Sequence, residues 1–207
     1  MSNHLQAPST SFIDIAGMEG VGKTLQADKL AERITNMGIK VLSLSFPQIQ
    51  NPNMGPYELA DKIASAHLKS QPKIERALSA RKLVLTDGFV LSTFVSQSIK
   101  LDKGTKPIAM LKWLEDYEFK RQSMPQPTKS VVLLEHLGEN APEHAKNAYA
   151  AYRQLAQERP DQISLIYCTN EQKRQDRHSA ESVHGMIWDV VEPLLGRMAL
   201  VNSTSGA

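Results

Sequence analysis

One segment constrains the fold of this chain more than any other: the glycine-rich run GMEGVGKT at residues 17–24. It fits the pattern G-x-x-x-x-G-K-[ST] through Gly17, Gly22, Lys23 and Thr24. The run before it, SFIDIA, has the composition of a short strand, and the residues after it place apolar side chains at helical spacing. A strand, a glycine-rich turn and a helix in this order predict a phosphate-binding loop, or P-loop.

The P-loop predicts how a nucleoside triphosphate such as ATP is held. Backbone N–H groups of the loop and of the helix N-terminus form a concave positive site, Lys23 reaches the terminal phosphates, and the Thr24 hydroxyl can bind magnesium. The predicted phosphate-binding residues are Gly17, Gly20, Val21, Gly22, Lys23, Thr24 and Leu25. The six histidines have no metal-ligand spacing, so Mg²⁺ arriving with ATP is the metal that we expect.

Strand-like and helix-like segments alternate along the rest of the chain. Further strands are predicted at residues 40–45, 83–87, 130–135 and 163–168, and helices at residues 57–69, 72–80, 106–121, 141–158 and 179–195. This order predicts an α/β fold with a five-stranded parallel sheet flanked by helices. Asp87 ends an apolar strand at the edge where such sheets bind ligands, so it is a site candidate. We expect one domain at residues 11–197, with flexible ends at residues 1–10 and 198–207.

The charge and cysteine content narrow the possible functions. Lys and Arg number 24 against 22 Asp and Glu, and a net charge of +2 does not suggest a broad nucleic-acid or membrane surface. Cys168 is the single cysteine, which excludes an intramolecular disulfide and fits a buried thiol in a reducing compartment. The polar N-terminus does not read as a secretory signal, and no apolar run approaches the roughly 18 residues of a membrane span. We therefore expect a cytoplasmic protein.

The segment FIDIAGMEGVGKTLQADKLAERI resembles the opening of thymidylate kinases, which also have an acidic residue in the loop, here Glu19. The resemblance continues through Phe46 and Pro47, then through DGFVLSTFVSQ at residues 87–97. It implies a P-loop NTPase fold of the nucleoside monophosphate kinase type, and the lid in this sequence is short. It also implies transfer of the ATP γ-phosphoryl group to a deoxynucleoside monophosphate such as dTMP, with Mg²⁺, by a homodimer.

The resemblance also implies roles for individual residues. Lys23, Asp87 and Glu19 would be catalytic, with Asp87 joining Thr24 near the magnesium and Glu19 near the acceptor sugar. The acceptor would be bound by Glu19, Phe46, Pro47, Phe89, Ser92 and Gln97. For Phe89, packing in the core beneath the loop is an equal alternative.

Several arginines that the family pattern leads us to expect are absent. Gly88 occupies the arginine position after Asp87, and Ile49 lies about where an arginine follows the Phe-Pro pair. The short lid at residues 135–149 also has no arginine. Because phosphoryl transfer depends on positive charge around the transferred group, other cations would have to replace them.

The sequence offers some replacement cations. Lys146 is the first choice because it is the only lysine or arginine within the short lid, and the other candidates are Arg76, Lys100, Lys103 and Arg153. Arg174 and Arg177 follow the fifth strand, where the family covers the adenine, but a solvated loop is the favoured interpretation there.

Three functions remain open at this stage. The first is a thymidylate kinase-like enzyme acting on a small nucleotide. The second is a P-loop kinase that phosphorylates a hydroxyl of a modified pyrimidine, either free or within DNA, because such an acceptor has no phosphate that needs arginines. The third is a catalytically weak ATP-binding protein with a regulatory role, which the intact Lys23, Thr24 and Asp87 disfavour.

Overall fold

The computed structural model describes residues 12–46, 51, 53–98, 100, 107–171 and 176–203. These residues contain strands β1 Phe12–Gly17, β2 Val41–Ser45, β3 Leu83–Asp87, β4 Lys129–Leu134 and β5 Ile163–Tyr167. Within the described residues the five strands form one parallel sheet in the order β2-β3-β1-β4-β5. The predicted fold class is confirmed. Strand β1 is central and fully buried, as its apolar sequence requires.

Helices cover both faces of the sheet. They are α1 Lys23–Asn36, α2 Pro56–Ser79, α3 Val90–Ser98, α4 Pro107–Glu115, α5 Glu143–Glu158 and α6 Ala180–Ser203, and a π-helical turn, Asp116–Arg121, follows α4 directly. Helices α1 and α6 pack on Ile13 and Ile15, whereas α2 to α5 pack on Phe12 and Ala16. Successive side chains of β1 thus serve opposite faces. All five strands end at the same edge, which places Gly17 and Asp87 close together.

The prediction of two helices at residues 57–69 and 72–80 is wrong, because α2 is continuous through Pro72. Pro72 removes one helical hydrogen bond and disfavours the turn before it, at a cost of about 3 kcal/mol. Ile63 before it and Ile74 after it are both buried on the same side of the helix, while Pro72 is exposed. Burial of such side chains contributes about 2–3 kcal/mol each, which offsets the cost.

The region between β3 and β4 also differs from the prediction. Helix α3 was not expected, since its residues are nearly all buried and show no polar face. The helix predicted at residues 106–121 is α-helical only to Glu115, and a π-helical turn replaces its last part. That turn contains Glu118, which is fully buried with its Oε2 at 2.9 Å from Nδ1 of His67 on α2. A single widened turn of this kind re-aims a side chain, here towards a buried partner.

Helix α6 begins as predicted and ends later. Ser179 caps it by accepting a hydrogen bond from the Ser182 N–H at 3.1 Å. The helix continues to Ser203, beyond its predicted end at residue 195. The predicted N-terminal segment at residues 1–10 lies outside the described residues. None of the helices in the described ranges combines the length and the apolar character needed to cross a bilayer.

Candidate active site

The P-loop joins β1 to α1, and glycines determine its path. A Cβ at Gly17 would lie 2.2 Å from the Leu133 carbonyl oxygen on β4, and its φ is +143°, so only glycine fits there. Gly22 precedes α1 with φ 90°, in the left-handed region. No described side chain caps α1. The first N–H groups of the helix are therefore available to a phosphate.

Lys23 is the cation of this loop. Its Nζ donates a hydrogen bond of 2.7 Å to the Met18 carbonyl oxygen, which holds the side chain along the loop. Burial lowers the pKa of Lys23, while the carboxylates of Asp87, Glu19 and Asp14 act in the opposite direction. A cation that is partly desolvated and surrounded by backbone dipoles interacts strongly with an incoming phosphate.

Thr24 and Asp87 meet at the carboxyl edge of the sheet. The Thr24 hydroxyl donates to Asp87 Oδ2 at 2.5 Å, and the Ser45 hydroxyl at the end of β2 donates to the same atom at 3.3 Å. Hydroxyl and carboxylate oxygens are the ligands that Mg²⁺ prefers, and with nucleotides it uses one or two of them plus phosphate and water. No cluster of three or more His, Cys, Asp or Glu suited to a metal occurs within the described ranges. The Thr24 and Asp87 pair thus fits an ion that arrives with a nucleotide.

A cavity of about 430 Å³ opens on one side of the P-loop. Its walls come from three elements: Glu19 and Lys23 of the loop region, Ser92 and Gln97 of α3, and Ala148 and Tyr152 of α5. Three of the predicted acceptor residues, Glu19, Ser92 and Gln97, therefore share one cavity with Lys23. Its volume is in the range of small-molecule sites.

Sequence reasoning gave no role to Tyr152, although it closes this cavity. Its ring is 2 % exposed, and its hydroxyl donates to the Gly17 carbonyl oxygen at 3.1 Å. Burial raises the pKa of the Tyr152 phenol, so it remains a donor and ties α5 to the start of the P-loop. His144, Ala148 and Tyr152 recur every four residues on one face of α5, and this spacing is the signal that could have identified them.

The two aromatic residues predicted to bind the acceptor lie elsewhere. Phe89 is 0 % exposed, and its ring packs against those of His67 at 4.6 Å and Phe12 at 5.4 Å. Phe46 is also buried and contacts the same cluster. Neither ring lines the cavity beside the P-loop, because the chain turns at Gly88 and directs Phe89 into the core. Pro47 lies outside the described residues.

The predicted lid cation, Lys146, lies outside the cavity. Lys146 is exposed and does not line the cavity, because it stands two residues after His144, about 200° around the helix. His144 lines the cavity instead, together with Lys100, one of the replacement cations. His144 was missed because only lysines and arginines were considered.

The other replacement cations lie away from the cavity or outside the described ranges. Arg76 is exposed and donates to the Pro72 carbonyl oxygen at 3.0 Å within α2. Arg153 lies over the ring of Tyr149, at 5.6 Å from its centre. Positions that the structure does not describe are Ile49, Lys103 and Arg174.

A second, smaller hollow of about 170 Å³ lies on the other side of the P-loop. Its wall includes Gly22 and Leu25 on one side and Arg177 on the other. The sequence favoured a solvated loop at Arg177, but this side chain also makes contacts within the protein. Its Nη2 lies 2.5 Å from Glu135 Oε1, and its Nη1 is 3.5 Å from the Gly20 carbonyl oxygen. Cys168 also borders this hollow, and burial raises the pKa of its thiol to about 11. The thiol therefore stays protonated, as a structural cysteine does.

Comparison with known proteins gives an independent view of this site. No protein-family model matches the sequence. A thymidylate kinase of Bartonella quintana (strain Toulouse) is 30% identical over 118 residues. About half of the chain is thus similar in sequence to a thymidylate kinase. This confirms the resemblance derived from the P-loop and the segments after it.

Two solved thymidylate kinases share the fold. The enzyme from Ehrlichia chaffeensis aligns with a TM-score of 0.69 at 19% identity, over 89% of this chain and all of that one (100%). The enzyme from Candida albicans aligns with a TM-score of 0.65 at 13% identity, over 91% of this chain and 93% of that one. The sequence match to the Bartonella thymidylate kinase is shorter and covers 50% of this chain and 55% of that protein. The thymidylate kinase fold is thus shared over nearly the whole chain, and detectable sequence identity over about half of it.

Proposed function

We propose that the protein is an ATP-dependent nucleotide kinase that transfers the γ-phosphoryl group of ATP to a deoxynucleoside monophosphate, with dTMP as the preferred type of acceptor. The observation that carries the proposal is the pair of cavities on opposite sides of one P-loop. A nucleotide kinase needs two ligand sites that meet at the transferred phosphate, whereas a simple ATP-binding module needs one. The sequence relationship to thymidylate kinases supports the same conclusion.

In this proposal the donor occupies the side of the P-loop that faces Arg177. The first N–H groups of α1 bind phosphate oxygens, and Lys23 leaves the Met18 carbonyl to pair with the terminal phosphates. The hollow of about 170 Å³ beside Leu25 would receive part of the adenosine. Thr24 and Asp87 would hold Mg²⁺, which supplies positive charge to the phosphates.

The acceptor occupies the cavity of about 430 Å³. Val95 and Ala148 provide an apolar wall suited to the faces of a base, and the buried Gln97 offers an amide that can pair with the edge of a pyrimidine. Glu19, exposed on the loop, would accept a hydrogen bond from the sugar. Lys23 lines the same cavity, so one cation would contact both the transferred phosphoryl group and the acceptor side.

One observation favours a second candidate, a kinase that phosphorylates a hydroxyl group of a modified pyrimidine. Among the described residues that line the acceptor cavity there is no arginine, and the basic side chains are those of Lys23, Lys100 and His144. Bidentate arginine contacts are the usual means of holding a phosphate in a fixed orientation. A nucleoside or a DNA strand carrying a hydroxymethyl group would not need them at the acceptor position.

The homodimer implied by the resemblance and the cytoplasmic location expected from the sequence are also part of the proposal. Tyr57 on α2 is exposed and contacts the partly buried Trp113, which stacks on Tyr117 of the π-helical turn. This aromatic strip supports a dimer, because aromatic residues are enriched in interfaces. Light scattering of the purified chain should give the mass of two copies of the 23.0 kDa chain. A monomer at all concentrations would exclude it.

An acceptor panel tests the proposed reaction. ADP release is measured with the common nucleoside monophosphates, with free hydroxymethyl pyrimidine nucleosides and with an oligonucleotide that contains the same base. We expect turnover with dTMP above all others. Turnover with only the hydroxymethyl acceptors would select the second candidate, and ATP binding without turnover on any acceptor would indicate a regulatory protein.

The matched variants are Lys23→Ala and Lys29→Ala, both on α1. Lys29 points away from the P-loop and pairs with Glu181 at 3.1 Å on the surface. Lys23→Ala should abolish ADP release, while Lys29→Ala should retain it. Equal activity of the two variants would show that the ADP comes from a contaminating enzyme.

A further inference from the structure

A carboxylic acid lies in the middle of the sheet, where no charge is expected. Asp14 on the central strand is 0 % exposed, and its neighbours across the sheet are Thr86 on β3 and Ser130 on β4. Its Oδ1 accepts hydrogen bonds from the Thr86 hydroxyl at 2.8 Å and from the Phe89 N–H at 3.3 Å. These contacts use only one of the two carboxyl oxygens.

The second oxygen, Oδ2, has no hydrogen-bond partner among the described residues. Burial raises the pKa of Asp14 to about 7, and the hydrogen bonds from Thr86 and Phe89 act in the opposite direction. A buried carboxyl oxygen without a donor is costly and rare in folded proteins. Its presence at a fixed position in the central strand calls for a donor that the chain itself does not supply.

Asp14 forms part of the wall of an inner chamber of about 60 Å³. This volume is enough for a small polar head group or a few water molecules. Phe89, Leu111 and Ile163 provide its apolar walls, and Ser130 adds a hydroxyl. The chamber is thus narrow and mostly apolar, with one unpaired acceptor.

The inner chamber adjoins an outer hollow of about 480 Å³. Glu115, Phe119, Gln126, Arg159 and Gln162 line both spaces, so the two are neighbours. Residues 126 and 160–162 precede β4 and β5, which puts the hollow at the amino edge of the sheet. The P-loop lies at the carboxyl edge. The inner chamber and the outer hollow together form a funnel. This funnel is therefore separate from the two cavities beside the P-loop.

The charges of the funnel favour a cation. Arg159 donates to both carboxylate oxygens of Glu115, and the Nη2 to Oε2 distance is 3.2 Å, so this pair neutralises itself at the neck. The remaining charged groups that line the outer hollow are one cation, Lys120, and two carboxylates, Glu158 and Asp161. Asp14 lies below them in the inner chamber. Lys129 also lies beside Asp161, with its Nζ 3.0 Å from the Asp161 carbonyl oxygen. Three carboxylates thus face two lysines, and the balance is acidic when Asp14 is ionised.

We propose that this funnel is a second ligand site, for a small primary amine whose ammonium group donates to Oδ2 of Asp14 while its hydrocarbon chain packs against Leu111 and Ile163. The donor completes the hydrogen bonding of the buried carboxylate, and the ion pair forms where water is largely excluded. Bulky cations without N–H groups cannot make this contact, and neutral ligands lack the charge. The site lies apart from the two cavities beside the P-loop.

The test uses n-butylamine as the probe and butyltrimethylammonium as a cation of equal charge without an N–H donor. Binding to the wild-type chain is followed by methyl NMR at Leu111 and Ile163, with the distant Ile34 on α1 as the internal control. At a pH of about 8 we expect saturable shifts at Leu111 and Ile163 with n-butylamine. We expect the affinity for butyltrimethylammonium to be weaker by about tenfold or more, since a charge-assisted hydrogen bond is lost.

Asp14→Asn provides the decisive variant, because its amide can keep Oδ1 in place for Thr86 and Phe89 while presenting NH₂ in place of Oδ2. It should weaken n-butylamine binding by about tenfold or more. Asp28→Asn, an equivalent change on the exposed side of α1, should bind like the wild type. Gln126→Trp, at the exposed mouth, should block entry without touching Asp14 and keeps the test valid if Asp14→Asn does not fold. Equal affinity in all variants, or no saturable shift in the wild type, would overturn the proposal.

Discussion

Replacing Asp14 with asparagine should change how the stability of the protein depends on pH. Inside the sheet the pKa of the Asp14 carboxyl is raised from 3.8 to about 7, chiefly by desolvation. Between these values the folded protein holds a proton that the unfolded chain has released. The free energy of unfolding therefore falls as the pH rises through this window, and the Asp14 contribution is level above it.

The magnitude follows from the size of the shift. One pKa unit corresponds to about 1.36 kcal/mol, so the wild type should lose about 3 kcal/mol through Asp14 between pH of about 5 and about 8. Asparagine has no proton to lose. The unfolding free energy of Asp14→Asn minus that of the wild type should therefore increase by about 3 kcal/mol as the pH rises over this range.

Urea denaturation of both proteins at several pH values measures this difference. The comparison cancels other groups, including Glu118, whose pKa burial also raises, because they are the same in both proteins. Asp28→Asn, on the exposed side of α1, is the control and should run parallel to the wild type. If the stability curves of wild type and Asp14→Asn were also parallel from pH of about 5 to about 8, the reasoning about the buried carboxyl would be refuted.

Four further changes test other parts of the account. Lys23→Ala should reduce turnover by at least about 10³-fold and weaken ATP binding, as measured by ADP release and calorimetric titration, while thermal melting shows an unchanged unfolding midpoint. Unchanged ATP affinity would contradict the phosphate-binding role of Lys23. Asp87→Asn should lower kcat much more than it raises KM for ATP, and steady-state kinetics showing only a raised KM would indicate simple ground-state binding. Gly88→Arg should not restore a phosphate contact, because φ at Gly88 is +83° and a side chain there is strained by about 1–2 kcal/mol; a tenfold gain in kcat/KM with dTMP would refute this. Glu118→Leu should destabilise the protein by about 1–3 kcal/mol in urea denaturation, since His67 loses its buried partner, whereas Glu118→Gln should lose less; equal losses would show that only packing matters.

The parts of the fold that the sequence predicted are those set by local pattern. The P-loop is specified by glycines whose backbone conformations other residues rarely adopt, and the strands by short apolar runs ended by Asp87, glycines or prolines. Helix α3 has no such pattern, because it is buried on almost every side. Helix α2 continues through Pro72 because residues on both sides of it pack on the same core. These outcomes depend on neighbours that are remote in sequence.

The site was predictable in its phosphate half and less so in its acceptor half. Lys23, Thr24 and Asp87 follow from one motif and one strand end. His144 lines the cavity and Lys146 does not, because the packing of Tyr152 beneath the P-loop sets the rotation of α5 about its axis. The resemblance gave Phe89 an acceptor role with core packing as an equal alternative, and the turn at Gly88 directs its ring into the core. The sequence did not predict a role for Asp14, because a single polar residue in an apolar strand gives no periodic signal.

Transfer of label from γ-phosphate-labelled ATP to dTMP is the most direct test of the central claim. In one reaction, purified wild-type chain, Mg²⁺, labelled ATP and dTMP are combined, and the nucleotides are separated and identified. The account predicts that the label moves to dTDP with the wild type and with Lys29→Ala, and that none moves with Lys23→Ala. A wild-type protein that binds ATP and dTMP yet forms no labelled dTDP would contradict it.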